Sequence, residues 1–424
     1  MGDTLFLGTL DAHLNALDSK NGRPLWNIAV ADAKLAYSIT MAPLVVKDKV
    51  IIGVGGGEFG IRGFVAAYDA KTGKEAWRFN TIPGPGEPGH ETWSGDDWMH
   101  GGASVWITGS FDPSLNLTYW GIGNPGPDWN PDQRPGDDLY SDSVVALDAD
   151  SGELKWHFQF TPHDGYDYDS VQIPVLADMD WQGRPAKLML WANRNGYFYV
   201  LDRVTGKFLL GEPFVKVNWA SGLDPNGRPV QTRQPPGMPT WPGTQGGTNW
   251  YPPSFGPRTG LFYFSVWENY AAIYRKEEQA YVPGRNFLGG GFTVLTPAPG
   301  APTIGVGRRG PINNWTNEVG SGATVAIDPR TGKRVWTFPQ FDVTDAGMLT
   351  TASDLLFTGG REARGIFLRA RCEDRKGTLE GEPRRLDCDG ADHLSHRRAA
   401  ICLGHFRTHA GHVRAPELAA SRHT

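Results

Sequence analysis

Short runs of alternating apolar and polar residues, each broken by a polar turn, recur along the chain and predict strands rather than helices. Several runs end in an Ala-x-Asp-x-x-(Thr/Ser/Asn)-Gly-x-x-x-Trp phrase. It reads NALDSKNGRPLW to Trp26, AAYDAKTGKEAW to Trp77, VALDADSGELKW to Trp156 and VAIDPRTGKRVW to Trp336. A degenerate copy, YVLDRVTGKFLL, keeps Asp202 and Gly206 but carries Leu210 where the tryptophan is expected. In each copy the apolar half is a strand end and the polar half a turn. Asp and Thr bond their own backbone there, and Gly takes the positive φ the turn needs. The closing Trp starts the next strand, and its ring is expected to wedge between neighbouring sheets.

One such phrase is an ordinary hairpin with a core Trp, but recurrence at fixed spacing marks a repeat architecture. The expectation is an all-β fold of the β-propeller type, with tryptophan-docking repeats between four-stranded blades. Composition agrees: 424 residues with Gly 55, Pro 32 and Trp 16 suit short strands and many turns. A net charge of -5 without long charged runs points to neither nucleic acid nor an anionic membrane surface. No apolar run reaches the length of a membrane span. The opening MGDTLFLGTLDAHL lacks the regions of a signal peptide and reads as a strand within a blade.

The chemistry of the chain changes after about Gly360. Cys372, Cys388 and Cys402 all lie there, while the last Tyr is Tyr281 and the last Trp is Trp336. Shifting the codons possible for Leu368–Glu380 by one nucleotide permits the missing repeat phrase. The expected organisation is a partial propeller over 1–360 and an aberrant, disordered tail over 361–424, produced by a frameshift near residues 361–366. A natural histidine-rich, metal-binding tail is the alternative.

Candidate chemistry sits in the middle of the chain. Glu58 in IIGVGGGEFGIRG, Asn124 in YWGIGNPGPDWN, and Asp167 with Asp169 in FTPHDGYDYDSV each follow or interrupt a strand-like run among Gly and Pro. Loop ends of this kind can converge on a propeller axis. Together they form a hard, oxygen-only donor set suited to calcium or a similar cation. Taken singly, Glu58 has Arg62 as a plain ion-pair partner, Asn124 can cap its own Pro-Gly turn, and Asp167 can be a turn residue. The Trp-rich segments around Trp250 and Trp267 could wall a substrate funnel or belong to the core.

The strings GGGEFGIRGFVAAYDAKTGKEAW, WGIGNPGPDWNPDQRPGDDLYSDSVVALDADSGELKWHFQFTPHDGYDYD, ANRNGYFYVLDR and VTDAGMLTTASDLLFTGGRE carry a resemblance. From about residue 1 to 360 the chain resembles the pyrroloquinoline quinone (PQQ)-dependent alcohol dehydrogenases, the methanol/ethanol dehydrogenase family of eight-bladed propellers. The resemblance implies Glu58, Asn124 and Asp167 around a metal ion, with Asp167 also the catalytic base. It implies Trp106 under the flat quinone, Arg194 bonding the quinone oxygens and the aspartate, and Thr40 and Ser104 as cofactor contacts. Asp169, two residues beyond the base, is associated with a lanthanide rather than Ca2+, because another carboxylate suits a trivalent ion.

The implied reaction oxidises a primary alcohol to an aldehyde, with electrons leaving to a periplasmic cytochrome c. The complete parent is expected to be periplasmic, and a homodimer is compatible with the resemblance. No C-x-x-C-H haem-attachment motif occurs in these residues. Relative to the family pattern, the chain starts after the vicinal Cys-Cys region and its last blades are missing or altered, so the propeller is expected to be incomplete and the chain inactive by itself. Gly55 stands where many members have Ser. A non-enzymatic propeller scaffold and a sugar-oxidising quinoprotein are the competing functions.

Overall fold

A computed structural model of the chain describes residues 2–294, 321–340 and 346–359, and the backbone of 367–371. The chain divides into Met1–Pro383 and Arg384–Thr424, the second lying outside the described residues. The expectations for the tail fall there too, apart from the strand Phe367–Arg371, which pairs antiparallel with Leu355–Gly359. Among the described residues helix is confined to 3-10 turns of three residues each, and no helix is long and apolar enough to cross a membrane.

The strands form consecutive antiparallel meanders. A first sheet of three strands spans Thr4–Gly8, His13–Asp18 and Pro24–Ala29. The second, of four, runs through Leu44–Val46, Lys49–Gly53, Phe64–Asp69 and Glu75–Asn80. The third holds Ser110–Asp112, Leu117–Gly121, Ser143–Asp148 and Leu154–Gln159. The fourth holds Val175–Trp181, Arg184–Ala192, Tyr197–Asp202 and Phe208–Pro213. In the fifth, Ser254–Gly256 and Leu261–Glu268 join Ser321–Asp328 and Lys333–Gln340 across a long excursion carrying the hairpin Ala272–Lys276 with Gly290–Val294. A three-stranded sheet containing Leu355–Gly359 follows. The inner strand Leu117–Gly121 is buried throughout, whereas the outer strand Lys333–Gln340 alternates between exposed and half-buried positions.

The repeat phrase folds as its chemistry dictates. Asp69 Oδ1 accepts from the backbone N–H of Lys71 (3.1 Å) and Thr72 (2.8 Å) and from the Thr72 hydroxyl (2.8 Å). Gly73, at φ 72°, then donates its N–H to the Asp69 carbonyl at 2.8 Å. Every copy also carries a register shift at the same place, between Ala16 and Leu17, Ala67 and Tyr68, Ala146 and Leu147, Val200 and Leu201, and Ala326 and Ile327. The phrase therefore encodes a bulged hairpin, with the extra twist a bulge brings.

The tryptophans dock from one sheet onto the next. Trp26 Nε1 donates to the Ala70 carbonyl and Trp77 Nε1 to the Ala149 carbonyl, both at 3.2 Å. Their rings cover the turn glycines: a Cβ on Gly73 would lie 3.1 Å from Trp26, on Gly152 2.5 Å from Trp77, and on Gly206 2.6 Å from Trp156. Gly is thus required both for its positive φ and for the ring above it. Leu210 of the degenerate copy occupies the same post over Gly332, its Cδ2 2.9 Å from a Cβ built there. Trp156 Nε1 has no partner, because the Tyr119 hydroxyl already donates to the Arg203 carbonyl at the corresponding position, at 3.0 Å.

Trp77 is 7% exposed, so Trp77→Ala should destabilise the domain by about 3–5 kcal/mol, read from the urea midpoint. The same change at half-buried Trp26 should cost less.

The links between the second and third strands of successive sheets all carry named residues: Glu58 in the second sheet, Asn124 in the third and Arg194 in the fourth. Links between sheets carry the others, with Thr40 before the second, Ser104 and Trp106 before the third, and Asp167 and Asp169 before the fourth. Single backbone bridges lace the two kinds of link together: Ser38 to Gly55, Gly102 to Pro125, and Ile122 to Ser170. Residues far apart in sequence are thereby held at one end of the sheets, where loops carry chemistry on a rigid frame.

Candidate active site

Asp167 is positioned by its own loop. Asp164, fully buried, accepts the backbone N–H of Tyr166 at 2.9 Å and of Tyr168 at 2.8 Å, so the chain turns tightly and Asp167 adopts φ 65°. Burial raises the Asp164 carboxyl to about 6, against the lowering effect of those two N–H groups. The buried Arg134 braces the loop from below, bonding the Asp164 carbonyl, the Pro127 carbonyl (3.2 Å) and the Asp138 carboxylate (2.6 Å).

Asp167 accepts two hydrogen bonds on Oδ2, from Arg194 Nη2 at 3.0 Å and from the Thr244 hydroxyl at 2.9 Å. Oδ1 is left for the cavity that Asp167 lines. Arg194 is 4% exposed and is held by Nε to the Thr244 carbonyl at 2.8 Å, while Nη1 bonds Asp169 Oδ2 at 2.5 Å. One guanidinium therefore serves two carboxylates. Asp169 Oδ1 accepts the Asn124 backbone N–H at 3.0 Å and Trp106 Nε1 at 3.4 Å. Both oxygens of Asp169 are thus bound by protein donors behind the cavity.

The cavity, about 480 Å³, is lined on its polar side by Glu58, Asp128, Asp167, Thr244, Gln245 and Asn286. Phe59, Trp129, Leu288 and Phe292 form its apolar wall. Glu58 lies in a 3-10 turn between Gly56 (φ 114°) and Gly60 (φ 64°), with its carbonyl bonded by the Phe287 N–H at 2.7 Å. It is ringed by protein yet solvent-accessible, because its accessible surface opens into the cavity. Arg62 does not pair with it: that guanidinium bonds the Ile82 carbonyl and Glu87.

Electrostatics at this spot are unfavourable to charge. Burial first, then the Asp169 and Glu58 charges, push Asp167 well above the ordinary carboxylate range, and Arg194 only partly offsets them. Glu58 is raised by burial and by Asp169. Asp128, 2% exposed, is raised by burial and by Asp167, Glu58 and Asp169 in turn.

The structure thus gathers Glu58, Asp167, Asp169, Arg194 and Asn124 around one place. Asn124 is buried, its Nδ2 3.2 Å from its own Pro125 carbonyl. Among the described residues, no three His, Cys, Asp or Glu side chains form a ready-made metal cage; an ion here needs further oxygen donors, such as the Asn124 amide.

Trp106, Thr40 and Ser104 stand on the Asp169 side. The Thr40 hydroxyl donates to the Trp106 carbonyl at 3.0 Å, and Ser104 Oγ would lie 3.0 Å from a Cβ on Gly57 and 3.2 Å from one on Gly123. A Cβ on Gly55 would reach Ser38 Oγ at 3.0 Å and Thr40 Oγ1 and Trp106 Cβ at 3.7 Å, so its absence leaves a cradle there. Trp250, 40% exposed, meets Trp106 edge to face at 6.4 Å, while Trp267 is 2% exposed and belongs to the core. Asp128, Thr244 and Gln245 carry no sequence signal of their own. A Pro-Asp-Trp and a Gly-Thr-Gln read as turns, and only tertiary structure brings them to Asp167.

Residues 1–239 match the family model described as PQQ, glucose/ethanol/alcohol dehydrogenase, β-propeller domain. The chain is similar to the quinoprotein alcohol dehydrogenase PedH of Pseudomonas putida, 40% identical over 430 residues, covering 93% of this chain and 68% of that protein. Among solved structures it is similar to a europium-containing methanol dehydrogenase (TM-score 0.77, 35% identity, 88% of this chain and 66% of that one). It is also similar to the quinohemoprotein alcohol dehydrogenase of Comamonas testosteroni (TM-score 0.73, 34% identity, 87% and 56%). The chain spans between about half and two thirds of the length of the relatives it matches. By the extent of both the family match and the identity, the chain belongs to the PQQ-dependent alcohol dehydrogenase family.

Proposed function

We propose that this chain holds the catalytic centre of a quinoprotein that oxidises a primary alcohol to an aldehyde. One observation carries the reading: Asp167 is fixed through one oxygen by Arg194 and Thr244 while lining a cavity shared with Glu58. The residues present fit a flat quinone and a hard cation. Among the described residues, four carboxylates, Glu58, Asp128, Asp167 and Asp169, gather with the guanidinium of Arg194, and Gly55 lies beside the Trp106 side chain, whose Cβ is 3.7 Å from a Cβ built there. Glu58, Asn124 and Asp167 would hold the cation, with Asp169 beside them; Trp106, Thr40, Ser104 and Arg194 would hold the quinone. When bound, PQQ supplies a two-electron acceptor and the cation the positive charge that polarises it.

The chain's own groups do the rest. Asp167 takes the substrate hydroxyl proton at Oδ1 as hydride leaves the carbon, so the alcohol never ionises unaided. Arg194 and Thr244 fix its carboxylate plane. Phe59, Trp129, Leu288 and Phe292 exclude water and favour an alkyl or aryl alcohol over a polyhydroxylated sugar. The placement of Asp167 with Arg194 speaks against a non-catalytic scaffold. A lanthanide suits the acidic charge better than Ca2+, in line with the europium-containing relative. A c-type cytochrome as electron acceptor accords with the quinohemoprotein relative. A periplasmic location, an eight-bladed parent, a homodimer and the inactivity of this chain alone belong to the same reading.

Reconstitution tests it. The chain, and the same chain joined to the remaining blades of a relative, are mixed with PQQ and La3+ or Ca2+. Alcohol-dependent dye reduction by the joined protein, greater with La3+ than with Ca2+, is expected. Reduction driven by sugars and not by alcohols would overturn the substrate class.

A further inference from the structure

We infer that Gln279 is a positioning residue for the substrate wall: it holds Leu288 and Asn286 against the cavity and so limits the length of alcohol that fits. The inference rests on the proposed function in taking that cavity as the seat of an alcohol.

Residues 277–289 form a strap between the strands Ala272–Lys276 and Gly290–Val294. The Glu277 N–H closes its neck, donating to the Gly289 carbonyl at 2.9 Å. That bond alone would join the two strands, yet the strap is also fastened along the cavity rim. The Phe287 N–H donates to the Glu58 carbonyl at 2.7 Å, the Trp129 N–H to the Leu288 carbonyl at 2.9 Å, and Asn130 Nδ2 to the Glu277 carbonyl at 3.0 Å. Gly289, at φ 63°, marks a close approach, since a Cβ there would lie 2.7 Å from the Pro127 Cβ.

Gln279 is the centre of this fastening. Its backbone N–H donates to Gln133 Oε1 at 3.0 Å and its carbonyl accepts from Gln133 Nε2 at 2.9 Å, so the two residues form a reciprocal pair. Its side chain spans the strap: Oε1 accepts the N–H of Leu288 and of Gly289, each at 2.9 Å, and Nε2 donates to the Asn286 carbonyl at 2.7 Å. Asn286 and Leu288 are the residues of the strap that line the cavity. Apolar packing anchors a different part, where Tyr281 stacks on His100 at 4.3 Å and Phe287, 4% exposed, meets both rings. Leu288 is only half-buried, so its place depends on the Gln279 bonds more than on a core around it.

Two readouts test this. Hydrogen–deuterium exchange is followed in the full 424-residue chain and in Gln279→Ala, Gln279→Glu and Glu278→Ala, the last an exposed neighbour on the same strap. Gln279→Ala should speed exchange of the Leu288 and Gly289 amides by about tenfold or more, with the repeat hairpins unchanged. Gln279→Glu keeps an acceptor for both amides and should restore most of the protection, while Glu278→Ala should leave it intact. If faster exchange in the repeat hairpins shows Gln279→Ala to be unfolded, Gln133→Ala, which breaks the pair from the other side, takes its place. The same variants are then made in the chain joined to the remaining blades and loaded with PQQ and La3+. There Gln279→Ala should raise kcat/KM for octan-1-ol relative to ethanol by about tenfold, through KM more than kcat, and Gln279→Glu should return the ratio toward wild type. A residue that merely stabilised the fold would lower both alcohols alike. Unchanged amide exchange, or faster exchange with an unchanged ratio of octan-1-ol to ethanol, would overturn this inference while leaving alcohol oxidation intact. A wild-type joined protein that turns over neither alcohol would overturn the proposed function instead.

Discussion

Asp167→Asn should lower alcohol turnover by about 10²–10⁴-fold in the reconstituted enzyme, with quinone binding, read by its absorbance, largely kept. The amide matches the carboxylate in shape and can still accept from Arg194 and the Thr244 hydroxyl. It cannot take a proton. The wild-type profile should carry the complementary mark. A base must be deprotonated to act, and burial with its acidic neighbours holds Asp167 protonated well above the usual carboxylate range. Turnover should therefore rise with pH through that raised value. Because Glu58 and Asp169 contribute to the shift, a bound cation that offsets their charge should move the limb to lower pH. An Asp167→Asn enzyme with unchanged turnover would assign the base elsewhere.

Arg194→Gln is the second large effect, and it acts on stability as well as on rate. The guanidinium is buried and its charge stabilised by Asp167, Asp169 and Asp164. Removing one partner of a buried ion pair leaves charge uncompensated, at a cost of about 3–5 kcal/mol. Here Asp167, whose carboxyl burial already holds above the usual range, loses its cation, so part of the loss should be recovered as pH falls and Asp167 protonates. Without Arg194, which lowers Asp167, the acid limb of any residual turnover should shift to higher pH. Denaturant midpoints at pH 5 and pH 8 check the first point. Equal losses at both pH values would mean that Arg194 acts there by packing alone.

The repeat phrase made most of the architecture legible, because the Asp, the Gly and the Trp of each copy act locally or on the neighbouring copy. Leu210 over Gly332 extends this: the docking post survives the loss of the ring. Glu58, Asn124, Asp167, Asp169 and Arg194 were legible through family resemblance together with their setting among Gly and Pro. Their division of labour was not. That Asp169 spends both oxygens on protein donors, while Asp128 keeps one free, depends on where Arg194 and the Asn124 N–H fall after folding. Thr244 reaches Asp167 from 77 residues away, and nothing in PGTQGG announces it.

We propose that Glu58, Asn124 and Asp167 surround a single cation beside a quinone held at Trp106. An anomalous-difference map from crystals grown with PQQ and La3+ tests it most directly. One strong peak in the cavity within ligand distance of Glu58, Asn124 and Asp167, with planar density against the Trp106 ring, is the predicted result. A La3+ peak at some other acidic cluster, with the cavity bare of both ion and quinone, would contradict it.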